Sequence, residues 1–344
     1  MLAPRTDAIL KYIISRYIEE ATPVSSQAVA RNAGLSVSSA TVRNEMAYLE
    51  EEGYILRPHT SAGSVPSDKG YRRYVDSLSN LDLPIERQRL LSHVFLQVEK
   101  EIDEWLKLAA ALLAQMSRNV AVVAVPKQSD CRFKYLELVS LQDKLALMVL
   151  ILVGVKVKQK LISFDEPVSQ PNLTAAANRL NEGCAGLSAN SIKALKPTPS
   201  ALEQHISETL LQVMQGEDQQ EYETPYLDGL HLMLGQPEFS GGDHMKEIIE
   251  LIESRTLLKI ILPQGLRAHA VHVVIGNENR SAAIRNCSVI MTTYGIPEAT
   301  GTIGVVGPTR MAYSSAIPSV NYLSRILTEM VAGLYGKKAA PSTN

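Results

Sequence analysis

The stretch that most constrains this chain is the run Leu35-Ser-Val-Ser-Ser-Ala-Thr-Val-Arg-Asn-Glu-Met-Ala-Tyr-Leu49. Ser38 stands where a helix N-cap accepts a backbone N–H, and Val37 before it pairs with Val42 as a hydrophobic staple. Val42, Met46 and Leu49 recur at helical spacing and define one buried stripe. The other side carries Ser39, Ala40, Arg43, Asn44 and Ala47, all small or able to hydrogen-bond. A helix with nothing bulky on its free face reads as the second helix of a helix-turn-helix, the part that lies in a DNA groove.

Its neighbours complete the motif. A first helix starts near Pro4, a residue suited to the first helical position, and carries Ile9, Leu10, Ile13, Ile14, Tyr17 and Ile18 on one wide face. Thr22-Pro23 ends it. Ser25 caps the next helix with Val24 and Val29 as a second staple, and Gly34 closes it. After the third helix Gly53 is the stop, residues 54–58 read as a strand, His59-Thr-Ser-Ala-Gly63 as a turn, and 64–66 as a short return. Helix, helix, helix, strand, loop, strand is a winged helix-turn-helix. Ser67 and Asp68 then start a helix with Tyr71, Tyr74, Val75 and Leu78 on one face.

Charge gives this reading no long-range help, because the 344 residues carry a net charge of -2. DNA contact must depend on placement. Glu50, Glu51 and Glu52 fall at the far end of the third helix, whereas Arg43, Arg57, Lys69, Arg72 and Arg73 are expected to fringe the DNA side. No apolar run is long enough to span a bilayer, and the start leads directly into an amphipathic helix, so a cytoplasmic protein is expected. Cys131, Cys184 and Cys287 are scattered and odd in number, which argues against a disulfide framework or a zinc cage.

The remainder has another texture. Residues 80–84 form a linker, and 85–118 read as one long helix with no Gly or Pro. Strands are expected at 120–125, 135–139, 146–153 and 155–162, the last alternating as a one-sided strand does. Prolines and helical pieces at 173–181 and 200–214 break this rhythm. A helix at 246–254, strands at 271–275, 288–292 and 301–306, and a last helix at 319–334 follow. The fold class is multidomain α+β, with a sensor-like domain interrupted by a smaller module.

Five segments, in order, carry a resemblance: Ser39-Ala-Thr-Val-Arg-Asn-Glu-Met-Ala-Tyr-Leu-Glu-Glu-Glu-Gly-Tyr54, Pro58-His-Thr-Ser-Ala-Gly63, Val65-Pro-Ser-Asp-Lys-Gly-Tyr-Arg72, Ile275-Gly-Asn-Glu-Asn279 and Ile303-Gly-Val-Val-Gly-Pro-Thr-Arg-Met311. The chain resembles, end to end, the HrcA family of bacterial repressors of class I heat-shock operons. The resemblance implies a winged-helix N-terminus, a GAF-like α/β domain, an inserted helical or mixed dimerisation module, and a homodimer on an inverted-repeat operator upstream of chaperone genes. It also implies activity maintained by the GroEL-type chaperonin. The boundaries expected are 1–79 for DNA binding, 80–118 for linker and long helix, 119–165 plus 231–337 for the GAF-like domain, 166–230 for the insert, and 338–344 for a disordered tail. One departure is Ser64, where the family usually has Arg; if that side chain enters the minor groove, Arg57 or Lys69 must replace it.

The predicted DNA-contacting set is Ser38, Ser39, Thr41, Arg43, Asn44, Arg57, His59, Thr60, Ser61 and Lys69. Arg43 suits a guanine edge and Asn44 an adenine edge or phosphate, with Ser39 and Thr41 donating to backbone oxygens. Each has a plainer reading: Arg43 paired with Glu50 or Glu51, Thr41 as a cap, His59 as a turn former. The competing functions are a ligand-sensing winged-helix repressor whose GAF-like domain binds a small metabolite and, further off, an enzyme. For the latter, Gly301-x-x-Gly304-x-x-Gly307-Pro308 lacks the P-loop spacing, His269 and His272 face opposite sides of a strand, and Cys131 has no His or Asp partner in view. No cofactor or metal is implied.

Overall fold

A computed structural model describes residues 2–32, 38–59, 63–78, 82–98, 101–127, 131–153, 156–195, 200–219, 224–239, 246, 249–250, 261 and 270–337. Gly34, Val37, Thr60, Ser61, His269, most of the helix expected at 246–254 and the tail expected at 338–344 lie outside the described residues. Within them the chain is mixed α and β, and no helix is long and apolar enough to cross a membrane.

Helix α1 (Pro4–Glu20) has proline at its start and ends at Ala21 in the left-handed region. It buries Ile9, Leu10, Ile13 and Ile14. Removing one such side chain from water stabilises by about 1.5–3 kcal/mol, so this stripe fixes which face of α1 turns inward. Helices α2 (Ser26–Asn32) and α3 (Ser39–Glu51) follow, and the N–H of Ala28 donates to Ser25 Oγ as a cap should. Strands β1 (Ile55–Leu56) and β2 (Val65–Pro66) pair antiparallel, and Ser64 bridges to Val24 beside them. Helix α4 (Asp68–Asp76) is capped by Ser67, whose Oγ accepts from Gly70 N.

The long helix expected at 85–118 is two helices, α5 (Ile85–Gln97) and α6 (Ile102–Ser117). Val98 and Glu101 are extended, so the ladder breaks without Gly or Pro. Packing explains the break. A straight rod of that length would run about 50 Å, whereas α5 buries Leu91 and Phe95 and bonds Tyr322 through Ser92, and α6 lays Trp105, Leu106, Ala109 and Leu113 over a sheet.

That sheet is five-stranded and antiparallel, in the order β7 (Tyr226–Asp228), β3 (Val120–Val123), β10 (Ala299–Pro308), β9 (Cys287–Ile296), β8 (His272–Ile275). All ten residues of β9 are buried. One face meets α6 and the last helix α11 (Tyr313–Leu334), and the other meets Met233 of the short helix α10 (Leu230–Leu234), Phe239 and Ile284. Covering on both faces accounts for the continuous apolar runs of β3 and β9.

Strands β4 (Phe133–Gln142), β5 (Leu145–Leu152) and β6 (Lys156–Ser163) do not join it, against the expectation that grouped them with the later strands. They form a separate meander. Its inner face packs on α7 (Gln170–Cys184), α8 (Ala189–Ala194) and α9 (Ala201–Gln219) around a second core that includes Phe133, Leu138, Met148, Leu173, Ile206 and Leu210. The spliced unit therefore contains its own sheet.

The first four helices share one apolar cluster with α5, α6, α11 and the near face of the large sheet. Carboxylates stitch the same region. Thr6 Oγ1 donates to Glu45 at 2.6 Å and Arg5 Nε at 3.0 Å, while Arg73 and Lys11 meet Asp7 at 2.8 and 3.0 Å. The Thr6 hydroxyl, then Arg5, hold the Glu45 carboxyl below its usual range. Asp7 is pushed up by partial burial, but Lys11 and Arg73 outweigh that and leave it lowered. Groups lowered on folding contribute stability above the unfolded carboxylate range and lose it as pH falls through the folded values. The melting temperature should therefore drop as pH falls below about 4.5, and Glu45→Gln should flatten that drop in a calorimetric pH series; an equally steep drop in the variant would refute the assignment.

Candidate nucleic-acid interface

Helix α3 is set by its buried side. Val42, Met46 and Leu49 are buried, and Glu45 ties the helix to the first turn of α1. Ser38 adopts extended backbone and its Oγ accepts from Thr41 N at 3.1 Å. Such a cap is worth about 1 kcal/mol. Thr41 Oγ1 also lies 3.0 Å from Ser38 Oγ, so both hydroxyls of the first turn are engaged with each other and half available to solvent.

The opposite side is open. Ser39, Ala40, Arg43, Asn44, Ala47 and Tyr48 are exposed. Arg43 and Asn44 form no ion pair or side-chain hydrogen bond with the described residues; Glu50, a sequence-level partner for Arg43, is taken by Arg57 at 3.0 Å. A guanidinium and an amide one residue apart, both unpaired, border a strip of small side chains near the N-terminus of a capped helix. That arrangement can offer donors to base edges and phosphates at the positive end of the helix.

The strands beside α3 carry the next residues. Arg57 lies over α3 through Glu50, and His59 is exposed. Lys69, on α4, is exposed but engaged: its Nζ donates to the Glu52 carbonyl at 2.6 Å and stands 4.3 Å from the centre of the Tyr54 ring. Thr60 and Ser61 fall outside the described residues. Ser64, where the family usually has Arg, is enclosed by the N-terminal helices and the ladder. It is 1% exposed, its backbone exchanges two 2.9 Å hydrogen bonds with Val24, and its hydroxyl has no partner. The Ser64 side chain points into the protein.

Arg72 and Arg73, expected on the DNA side, are turned away from it. Arg72 Nε donates to Glu278 at 2.8 Å and its Nη2 to the Val273 carbonyl at 2.7 Å; Arg73 pairs with Asp7. Sequence shows a charge but not its partner, and both partners here are remote in the chain.

The other chemistries have plainer causes. A Cβ on Gly301, Gly304 or Gly307 would overlap the Tyr294 ring, the Ile290 carbonyl and the Asn119 side chain respectively. These glycines allow close packing around β10 and are not a phosphate cradle. Cys131, Cys184 and Cys287 are buried, and burial raises the Cys184 thiol. A cavity of about 330 Å³ lies between the end of α1 and the body, lined by Ile18, Glu19, Arg118, Gln236 and Arg310. The Arg310 guanidinium there is already bonded to Glu238 and the Ile18 carbonyl.

The family described as HrcA protein C terminal domain matches residues 103–317. The chain is 51% identical over 340 residues to the heat-inducible transcription repressor HrcA of Dehalococcoides mccartyi strain 195, covering 98% of each chain. It is 40% identical to that of Herpetosiphon aurantiacus, covering 99% of each, and 36% identical to that of Chloroflexus aurantiacus, covering 99% of this chain and 97% of the relative. A crystal structure of a hypothetical protein at 2.2 Å resolution shares the fold, with a TM-score of 0.64 at 22% identity over 97% of this chain and 100% of that one. With a matching family domain across more than half of its length and relatives alike from end to end, the chain belongs to the HrcA family of heat-inducible transcription repressors.

Proposed function

We propose that this chain represses heat-shock operons by occupying their promoter DNA as a homodimer, in the cytoplasm, with α1–α4 and the β1–β2 ladder acting as a winged helix-turn-helix and α3 as its reading helix. The relatives are named transcription repressors, and the role breaks no bond. The observation that carries the reading is the open face of α3, where Arg43 and Asn44 stand unpaired beside small residues. Ser38, Ser39 and Thr41 would meet phosphates, and His59, Thr60 and Ser61 would lie along the backbone or minor groove. Arg57 and Lys69 would contribute field more than direct contact, being engaged with Glu50 and Glu52.

One reading helix covers too few base pairs to select an operator from a genome, so two copies on an inverted repeat are required. Support for the pairing surface comes from the outer face of the β4–β6 meander. Tyr135, Val139, Leu141, Val157 and Leu161 are 41–55% exposed there, and the row Val139, Leu147, Leu161 runs across all three strands. Monomers rarely leave such a face to water. We assign the inserted dimerisation module to residues 131–219 on this basis, and the GAF-like domain to the five-stranded sheet with its helices.

Dependence on a GroEL-type chaperonin fits the topology. The sheet pairs β3 with β10 and β7, segments separated by the whole insert, and such non-local pairing folds slowly while apolar surface is exposed.

A mobility-shift titration on an inverted-repeat chaperone-promoter fragment tests the DNA reading. Arg43→Ala should lose about 1–3 kcal/mol of discrimination at one base position, and an unaltered ratio of specific to scrambled affinity would contradict it. Leu161→Asp should convert the dimer to monomer in sedimentation and weaken binding to the paired site far more than to a half-site; a persisting dimer removes the meander as the interface. Refolding from denaturant should recover operator binding only in part unless chaperonin and ATP are supplied, and complete unaided recovery would exclude the chaperonin role.

A further inference from the structure

Three segments noted in the sequence, 65–72, 275–279 and 303–311, lie away from the open face of α3 and come together at one seam. On α4, Asp68, Tyr71 and Arg72 stand three and four residues apart and so share a face. Asp68 Oδ2 accepts from Asn277 N at 2.9 Å and from Asn277 Nδ2 at 2.8 Å. Arg72 grips Glu278 and the Val273 carbonyl, and Glu278 also accepts from Ile275 N at 2.9 Å, so the carboxylate is itself oriented. The Tyr71 ring lies 5.9 Å from that of Tyr313, which donates to the Thr309 carbonyl at 2.7 Å. At the other end of the N-terminal module Arg310 donates to the Ile18 carbonyl at 2.6 Å, satisfying an orphan acceptor in the last turn of α1.

A reading head on a tether would need none of these bonds, and the charges on α4 would face water. Anchors at the start of α4 and the end of α1, with the packing of Tyr71 on Tyr313 beside them, restrain the module against turning on the body. We infer that Asp68, Arg72, Gly276, Asn277, Glu278 and Arg310 are positioning residues that fix the orientation of α3 relative to the body and thereby set the half-site spacing the dimer accepts. The inference rests on the dimeric-repressor reading above. Its physical basis is helical phase: each added base pair turns the second half-site by about 35° and moves it by about 3.4 Å, an error that a clamped head cannot follow and a loose one can.

Gly276 supplies a clean test, because it lies outside the module and a Cβ there would overlap the Asp68 carboxylate, at a backbone φ of +52°. Gly276→Ala wedges the seam, and Glu278→Gln removes its charge with little change of shape. Both leave every residue of the reading module intact. The probes are an inverted repeat recovered from random DNA by selection with the wild-type protein, versions of it lengthened or shortened by one to three base pairs, and a single half-site. Wild type should lose ~10-fold or more in affinity on changing the spacing by two base pairs. Both variants should flatten that profile to within ~3-fold while keeping half-site affinity within ~2-fold of wild type, with the larger effect in Gly276→Ala. Profiles as sharp as wild type in both folded variants, or a flat profile in wild type, overturn the seam and leave the repressor reading standing. Failure of wild type to select any sequence overturns the repressor reading and the seam with it.

Discussion

Tyr71 sits in two places at once. Its ring is 2% exposed, belongs to the core beneath α1 and α3, and lies against Tyr313 at the start of α11. The hydroxyl is buried without a partner, which costs about 1–3 kcal/mol, and burial raises it well above the ordinary tyrosine range. An aromatic ring of this size buries enough area to offset such a cost and gains further from a tilted partner. On the α4 side, the contact between the N-terminal helices and the body has this side chain as its apolar centre and the Asp68 and Arg72 hydrogen bonds at its rim.

The large sheet explains why that contact has something firm to rest on. Strand β9 lies between β10 and β8, is buried along its length, and receives α11 on one face. Tyr294 anchors its far end by donating to the Ala124 carbonyl at 2.6 Å, and Ser288 holds the Tyr313 hydroxyl near its start. A residue on β9 thus orients the ring that Tyr71 meets. Local helix propensity contributes little to this arrangement, because it depends on strands that are remote in sequence being in register.

What was legible in the sequence was local. The cap at Ser38, the stripe of Val42, Met46 and Leu49, the glycine stop at Gly53 and the short return at 65–66 all follow from neighbours a few residues apart. Partnership was not legible. Apolar alternation announced β4, β5 and β6 as strands but could not say which sheet they entered, and their assignment to the later strands failed on that point. Strand β7 went unread because three residues, mostly exposed, carry no periodicity. From their own segment Arg72 and Arg73 look like groove-side charges, because Glu278 and Asp7 are remote in the chain. The buried position of Ser64 depends on a backbone pairing with Val24, forty residues earlier, that only the fold supplies.

One apolar cluster runs without interruption from Ile9 in α1 to Ala332 in α11. Such a cluster couples the N-terminal helices to the helices over the sheet through shared buried area. The amino-terminal helices consequently draw part of their packing from α6 and α11 as well as from one another. Side chains as far apart in the chain as Ile9 and Ala332 thus lean on a single apolar interior.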